Sequence, residues 1–167
     1  RTYSRMKIVR FSDNVTLATF GEGYGCQDAI VEGSVLYVFA TGCWMDYSHG
    51  GNPIVKFSSS DLTNWTGPTT IYTPEPQAQL YNIGVTKNTS TNTFIVSYEL
   101  HNPYWYLPWF VTRFVQSTDL NSWTPVGTPS YFYGLGGADI HYVNNKYYLW
   151  VHQDLTNPTR YQTSPTF

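Results

Sequence analysis

The sequence predicts an all-β chain built from repeated four-stranded antiparallel units, the blades of a propeller. Three observations predict it. Ile54 to Thr66 reads IVKFSSSDLTNWT and returns as Val111 to Thr124, VTRFVQSTDLNSWT, so that Asp61, Leu62 and Trp65 match Asp119, Leu120 and Trp123. The segments are short and rich in Val, Ile, Tyr, Phe and Thr. They are punctuated by Gly, Pro, Asn and Asp, and almost none has a helical period. Hairpin starts recur at Asp28, Asn82 and Asp139. Self-similar units of about 40 to 60 residues with four short strands are propeller blades.

In chain order, Arg5–Phe11 and Val15–Phe20 are expected strands, and Ile8 to Leu17, IVRFSDNVTL, is a weaker echo of the repeat. Gly21 to Gly25 is a glycine-rich link. Asp28–Val31 and Val35–Ala40 form a hairpin around Glu32-Gly33-Ser34. The loop Thr41 to Pro53 follows, then the strand Ile54–Ser58 and a proline-rich connection, Pro68 to Pro76. The second unit has Asn82–Thr86 and Phe94–Glu99, the aromatic loop His101 to Trp109, and Phe110–Gln116. The third has Asp139–Val143 and Lys146–Val151 around Asn144-Asn145, a tight-turn signal. Arg160–Thr163 is the last expected strand. Residues 1–167 thus read as one domain. Residues 1–21 end a preceding blade, 26–66 and 80–124 are blades, and 137–167 is a truncated blade. The Asp of each Ser-x-Asp-Leu-x-x-Trp can accept nearby backbone N–H groups, and its Trp offers a large face to the neighbouring blade. The motif therefore reads as structural, because binding residues sit on variable loops.

Composition narrows the function. Only 12% of residues are charged, 9 are Lys or Arg, and the net charge is −2. No basic run exists, which removes the electrostatic support that nucleic-acid binding needs. No apolar run approaches the roughly 20 residues of a membrane helix. Three sequons, at Asn14, Asn64 and Asn88, fall in expected turns, and together with the low charge they point to an extracellular setting. Cys26 and Cys43 flank one hairpin, which leaves two readings open: a disulfide across its open end, or two buried thiols.

Asp28-Ala-Ile-Val to Leu36-Tyr37-Val38, and Ala138-Asp139-Ile140-His141-Tyr142 to Tyr147-Tyr148-Leu149, resemble the innermost hairpins of five-bladed propeller glycoside hydrolases. Ser59 to Trp65 and Ser117 to Trp123 resemble the blade ends of the same group, families 43, 62 and 32. Five such blades need about 285 residues at the observed spacing, and this chain carries about three. It is expected to be a fragment, or the ordered part of a longer polypeptide, in preference to an assembly closing the ring from several chains.

The resemblance implies acid/base hydrolysis by carboxyl groups around a central funnel. It puts Asp28 in the place of the base, Asp139 at the equivalent position and Glu99 as the acid. Asn82, which cannot titrate, stands at the corresponding place between them. Each acid also has a structural reading: an Asp at a strand start caps turn N–H groups, and a Glu at a strand end is solvated. Trp44, Asp46, Tyr47, Tyr104, Trp105, Trp109 and Asp154 lie on the loops that would line such a funnel. Aromatic faces there would stack on sugar rings, although most aromatics in a chain this rich in them are packing residues. His49, His101, His141 and His152 show no paired metal spacing. His141 and Asp139 share a strand face. No cofactor is expected. The resemblance admits a central cation such as calcium, whose ligands the sequence does not identify.

The resemblance leaves three readings: a glycosidase on polysaccharide; a non-catalytic secreted glycoprotein that binds glycans or serves as a structural or assembly module; and a sialidase-like propeller. The last fits less well, since its Asp-box lacks the Leu and no arginine triad stands out among the five Arg. The expected partners are carbohydrate and the further segments or chains that complete the propeller.

Overall fold

In a computed structural model, residues 5–42, 52–74, 78–101, 110–127 and 135–153 are described. They form twelve strands and no helix. β1 (Met6–Arg10) and β2 (Val15–Phe20) make a hairpin. β3 (Gly25–Glu32), β4 (Val35–Thr41), β5 (Ile54–Ser59) and β6 (Thr66–Tyr72) make a first blade, antiparallel and in that order. β7 (Gln79–Asn88), β8 (Thr93–His101), β9 (Phe110–Ser117) and β10 (Thr124–Val126) make a second blade of the same order. β11 (Leu135–Val143) and β12 (Lys146–Gln153) pair as a hairpin around Asn144-Asn145, both at positive φ, as the turn signal required.

Two strands were not visible in the sequence. The stretch read as a proline-rich connection from Pro68 is in fact β6. A proline is tolerated there because β6 pairs with β5 alone among the described strands, at the edge of its sheet. Gly67 precedes that proline at φ 116°, and a Cβ on it would sit 2.6 Å from the Lys56 carbonyl oxygen, so only glycine lets β6 come this close. β10 has three residues and too little pattern to recognise.

Period-two alternation assigns each face of a blade to a different neighbour. Val38, Ala40, Val55 and Phe57 pack toward the β1–β2 hairpin with Met6. Phe39 and Ile54, the intervening residues, join Val85, Phe94, Val96, Tyr98, Leu100 and Val115 between the two blades. Ile95 and Phe114 turn the other way and meet Ile140 of β11. β3, β7 and β11 lie side by side as the inner strands.

The register corrects one sequence alignment. In β3, β7 and β11 a bulge skips two residues against one on the partner strand: Cys26 and Gln27, Asn82 and Ile83, Gly137 and Ala138. Asp28 then pairs with Phe39, Gly84 with Ser97, and Asp139 with Trp150. The residue matching Asp28 and Asp139 in the middle blade is therefore Gly84, and Asn82 belongs to the bulge. The backbone agrees, since Cys26 and Asn82 have φ of 49° and 44°. All three inner strands carry this bulge, so it does not shift the blades against one another; the count went wrong by starting the middle hairpin at Asn82, which stands at the place of Cys26 and Gly137.

Candidate functional site

The inner strands place Asp28 and Asp139 at equivalent rungs on either side of β7, where Gly84 contributes no side chain. Asp28 is half-buried. Its Oδ2 accepts the Val85 N–H of β7 at 2.8 Å and its Oδ1 accepts the Ala29 N–H at 2.7 Å. Burial raises its pKa, and the charge of Asp139 raises it further. The two N–H groups and His141 pull it back, without reversing the shift. Asp139 is exposed, with His141 Nε2 3.2 Å from its Oδ2.

Glu99 lies on β8, opposite Tyr81 of the bulged strand, and is only 6% exposed. Asn82 Nδ2 donates to its Oε2. The bulge that removed Asn82 from the carboxylate rung thus aims its amide at a carboxylate. Two residues on, His101 Nδ1 lies 3.4 Å from Gln79 Oε1. Burial lowers the His101 pKa and the Glu99 charge opposes this. Glu99 shares a strand face with Ile95, which packs toward β11–β12, whereas Asp28 reaches β7 from the first blade. The charges that bear on Asp28 are Asp139 and His141; Glu99 bears on His101. The first blade has Thr41 at the rung of Glu99, fully buried, with no partner for its Oγ1 among the described residues.

The candidate ligand contacts Trp44, Asp46, Tyr47, Tyr104, Trp105, Trp109 and Asp154 lie outside the described residues. Cys26 is disulfide-bonded; Cys43, the other cysteine of the chain, is outside the described residues. Of the sequon asparagines, Asn14 and Asn64 are exposed, and Asn64 Nδ2 donates to Asp61 Oδ2 at 2.8 Å. Asn88 is buried and its Nδ2, the atom a glycan would occupy, donates to Tyr147 Oη at 2.7 Å. Among the described residues no cluster of His, Cys, Asp and Glu has metal-binding geometry, and no helix is long and apolar enough to cross a membrane.

No protein-family model and no curated protein matches the chain. Solved structures do. An α-L-arabinofuranosidase of Fusarium graminearum, bound to an iminosugar inhibitor, superposes with a TM-score of 0.72 at 12% identity, over 89% of this chain and 49% of that one. An α-L-arabinanase of Penicillium chrysogenum, complexed with arabinobiose, gives 0.59 at 14% identity over 76% and 38%. The catalytic domain of a Coprinopsis cinerea α-L-arabinofuranosidase gives 0.59 at 11% identity over 86% and 52%. The chain spans about half the length, or less, of these structures, and it has the all-β blade architecture of propeller glycoside hydrolases over that length.

Proposed function

We propose that the chain is the carboxylate-bearing part of a secreted propeller glycoside hydrolase, acting on arabinose-containing polysaccharide side chains. The supporting observation is the pair Asp28 and Asp139. Two equivalent inner strands carry them to either side of a residue without a side chain, close enough for one charge to raise the pKa of the other. Two carboxyls in unlike surroundings divide acid and base roles. Half-buried Asp28 is the group biased to hold a proton and protonate the leaving oxygen. Exposed Asp139 is the group placed to activate water. This reverses the base role that the resemblance gives Asp28. Glu99, held by Asn82, is the third acid of the funnel.

The test is turnover of aryl α-L-arabinofuranosides and of branched arabinan by the protein and by Asp28→Asn, Asp139→Asn and Glu99→Gln. The Asp28 and Asp139 variants are expected to lose turnover by about 100-fold or more. Full activity in both would overturn the reading.

A second reading has its own observation. Both Asp28 oxygens already accept backbone N–H groups, one of them across the blade boundary, which is what a structural clasp does. A non-catalytic glycan-binding module would then bind arabinan without turnover, and Asp28→Asn, whose amide oxygen still accepts the Val85 N–H, would bind equally well.

A further inference from the structure

We infer that the sequon Asn14-Val15-Thr16 is an N-glycan acceptor, whereas Asn88-Thr89-Ser90 is a latch between blades that a glycan would break. The inference is independent of catalysis. It turns on what each side-chain amide already does, because the amide nitrogen is the atom that takes the sugar.

Asn88 ends β7, and both ends of its amide are engaged. Its Oδ1 accepts the Ser90 N–H at 2.9 Å and the Thr91 N–H at 3.1 Å, which shapes the turn into β8. Its Nδ2 donates to Tyr147 Oη of β12 at 2.7 Å. The Ser90 hydroxyl, the other group that defines the sequon, lies in the same contact. It donates to Asn145 Oδ1 at 2.9 Å and accepts from Tyr142 Oη at 3.0 Å. The rings of Tyr142 and Tyr147 lie 4.9 Å apart. Together these bonds fasten the second blade to the β11–β12 hairpin. Asn88 is 9% exposed, so a saccharide on Nδ2 would need the place that Tyr147 fills. Glycan and docked hairpin exclude each other. A chain glycosylated there before folding cannot join the folded fraction.

Asn14 is the opposite case. It lies at φ 57° in the exposed β1–β2 turn, and its N–H donates to the Arg10 carbonyl at 2.9 Å. The side-chain bonds of that turn come from Asp13, which takes the Val15 N–H at 3.3 Å and the Arg10 guanidinium at 2.9 Å. The turn is thus made without the Asn14 amide. Its exposure follows from its place in a blade. Ile8-Val9-Arg10-Phe11-Ser12 matches Ile54-Val55-Lys56-Phe57-Ser58 at the third strand of the first blade, so this turn joins a third strand to a fourth. The same turns of both complete blades are exposed, at Thr63-Asn64 and at Asn121-Ser122. Asn64 shares the exposure, but its Nδ2 donates to Asp61 Oδ2 at 2.8 Å and its N–H to Asp61 Oδ1 at 2.7 Å. Its amide belongs to the turn, and it is the weaker acceptor of the two.

The test is site occupancy in protein made through a eukaryotic secretory pathway. The folded fraction is treated with a peptide N-glycosidase in heavy-oxygen water, which marks each formerly glycosylated Asn as Asp in the mass spectrum. Asn14 is expected to be marked in most molecules, Asn64 in fewer and Asn88 in none. The latch has a readout of its own. Asn88→Gln, which moves the amide by one methylene, is expected to speed hydrogen exchange in β11 and β12, and Asn14→Gln is not. A bare Asn14, a marked Asn88 in the folded protein, or equal marking at Asn14 and Asn64 overturns the inference. So does β11–β12 exchange that Asn88→Gln leaves unchanged.

Discussion

The two complete blades share strand order, bulge and end motif, and they differ at one rung of their inner hairpins. The first blade has Asp28 opposite Phe39; the second has Gly84 opposite Ser97, whose hydroxyl donates to the Gly84 carbonyl at 3.3 Å. The large pair fills the space between the blades. The small pair lets the flanking inner strands bring Asp28 and Asp139 within electrostatic reach. The end turns differ as well. Trp65 Nε1 donates to the Leu62 carbonyl at 3.1 Å, which keeps that turn self-contained. In the second blade, buried Lys56 reaches across the interface, donating to the Leu120 carbonyl and to Asn121 Oδ1, and Trp123 Nε1 has no partner among the described residues. A repeat conserves the backbone plan, and its departures mark where one blade is wired to the next.

The largest way to break this comparison is Phe39→Ala. The ring is fully buried between the blades, and its loss is expected to cost about 3–5 kcal/mol in urea unfolding. Phe20→Ala, at the partly exposed stack on Trp65, should cost clearly less. Equal costs would mean that the second blade does not anchor the first.

The clasps between inner strands come next in size. Asp28 takes the Val85 N–H, whereas the second blade, with Gly84 at that rung, uses Thr86 Oγ1 to take the Tyr142 N–H at 3.0 Å. Thr86→Val keeps the shape and leaves that N–H unmet, an expected loss of about 1–3 kcal/mol. Thr86→Ser retains the acceptor and should recover most of it. If Val and Ser behave alike, the clasp contributes nothing.

The blade plan was legible in the sequence because the end motif recurs with its Asp, Leu and Trp intact, and because Asn144-Asn145 can hardly be anything but a tight turn. What was not legible depends on register. Asn82 is itself a bulge residue, at the place of Cys26 and Gly137, while Gly84 holds the carboxylate rung, and no residue type announces a bulge. The left-handed backbone of Leu62 and Leu120, φ 62° in both copies, was equally hidden, since a branched side chain argues against it. The Ser59 hydroxyl accepts the Leu62 N–H at 2.8 Å and holds the first of these turns. Which groups influence each other is tertiary information: the charge of Asp139 bears on Asp28, Asn82 donates to Glu99, and the Glu99 charge bears on His101.

Acid titration sharpens the contrast between turns and axis, because the signs are opposite. The Asp119 carboxyl is lowered to about 2 by the N–H groups of Ser122 and Asn121 and the Ser117 hydroxyl. Asp61 is pushed well below the usual range by the Asn64 N–H and side-chain amide, the Thr63 N–H and the Ser59 hydroxyl. Stability from these two is complete above the unfolded carboxylate pKa and is lost as pH falls through the folded values, so unfolding midpoints should drop below about pH 4. Asp61→Asn and Asp119→Asn should flatten that drop, the former more, because the Asn64 side-chain amide is among the largest causes at Asp61, whereas the Ser122 side chain is the smallest at Asp119. Asp28, raised by burial, works the other way: its penalty is relieved as pH falls through its folded pKa. Asp139→Asn removes the like charge, so the Asp28 carboxyl carbon signal should titrate at lower pH than in the native protein. No movement would separate the two acids and with them the proposed pair.

The smallest expected effect concerns the rung shared by Thr41 and Glu99. Glu99 is buried and receives the Asn82 amide, whereas Thr41 is fully buried with a hydroxyl that has no partner among the described residues. A buried polar atom without a partner loses its water and gains nothing in return. Thr41→Val removes that atom at nearly constant volume. It should therefore stabilise the protein by up to about 1 kcal/mol, whereas Glu99→Leu, which strands the Asn82 amide, should not. A loss of stability on Thr41→Val would show that the hydroxyl has a partner in solution, such as an ordered water, and that the first blade carries a polar site at the rung where the second carries its acid.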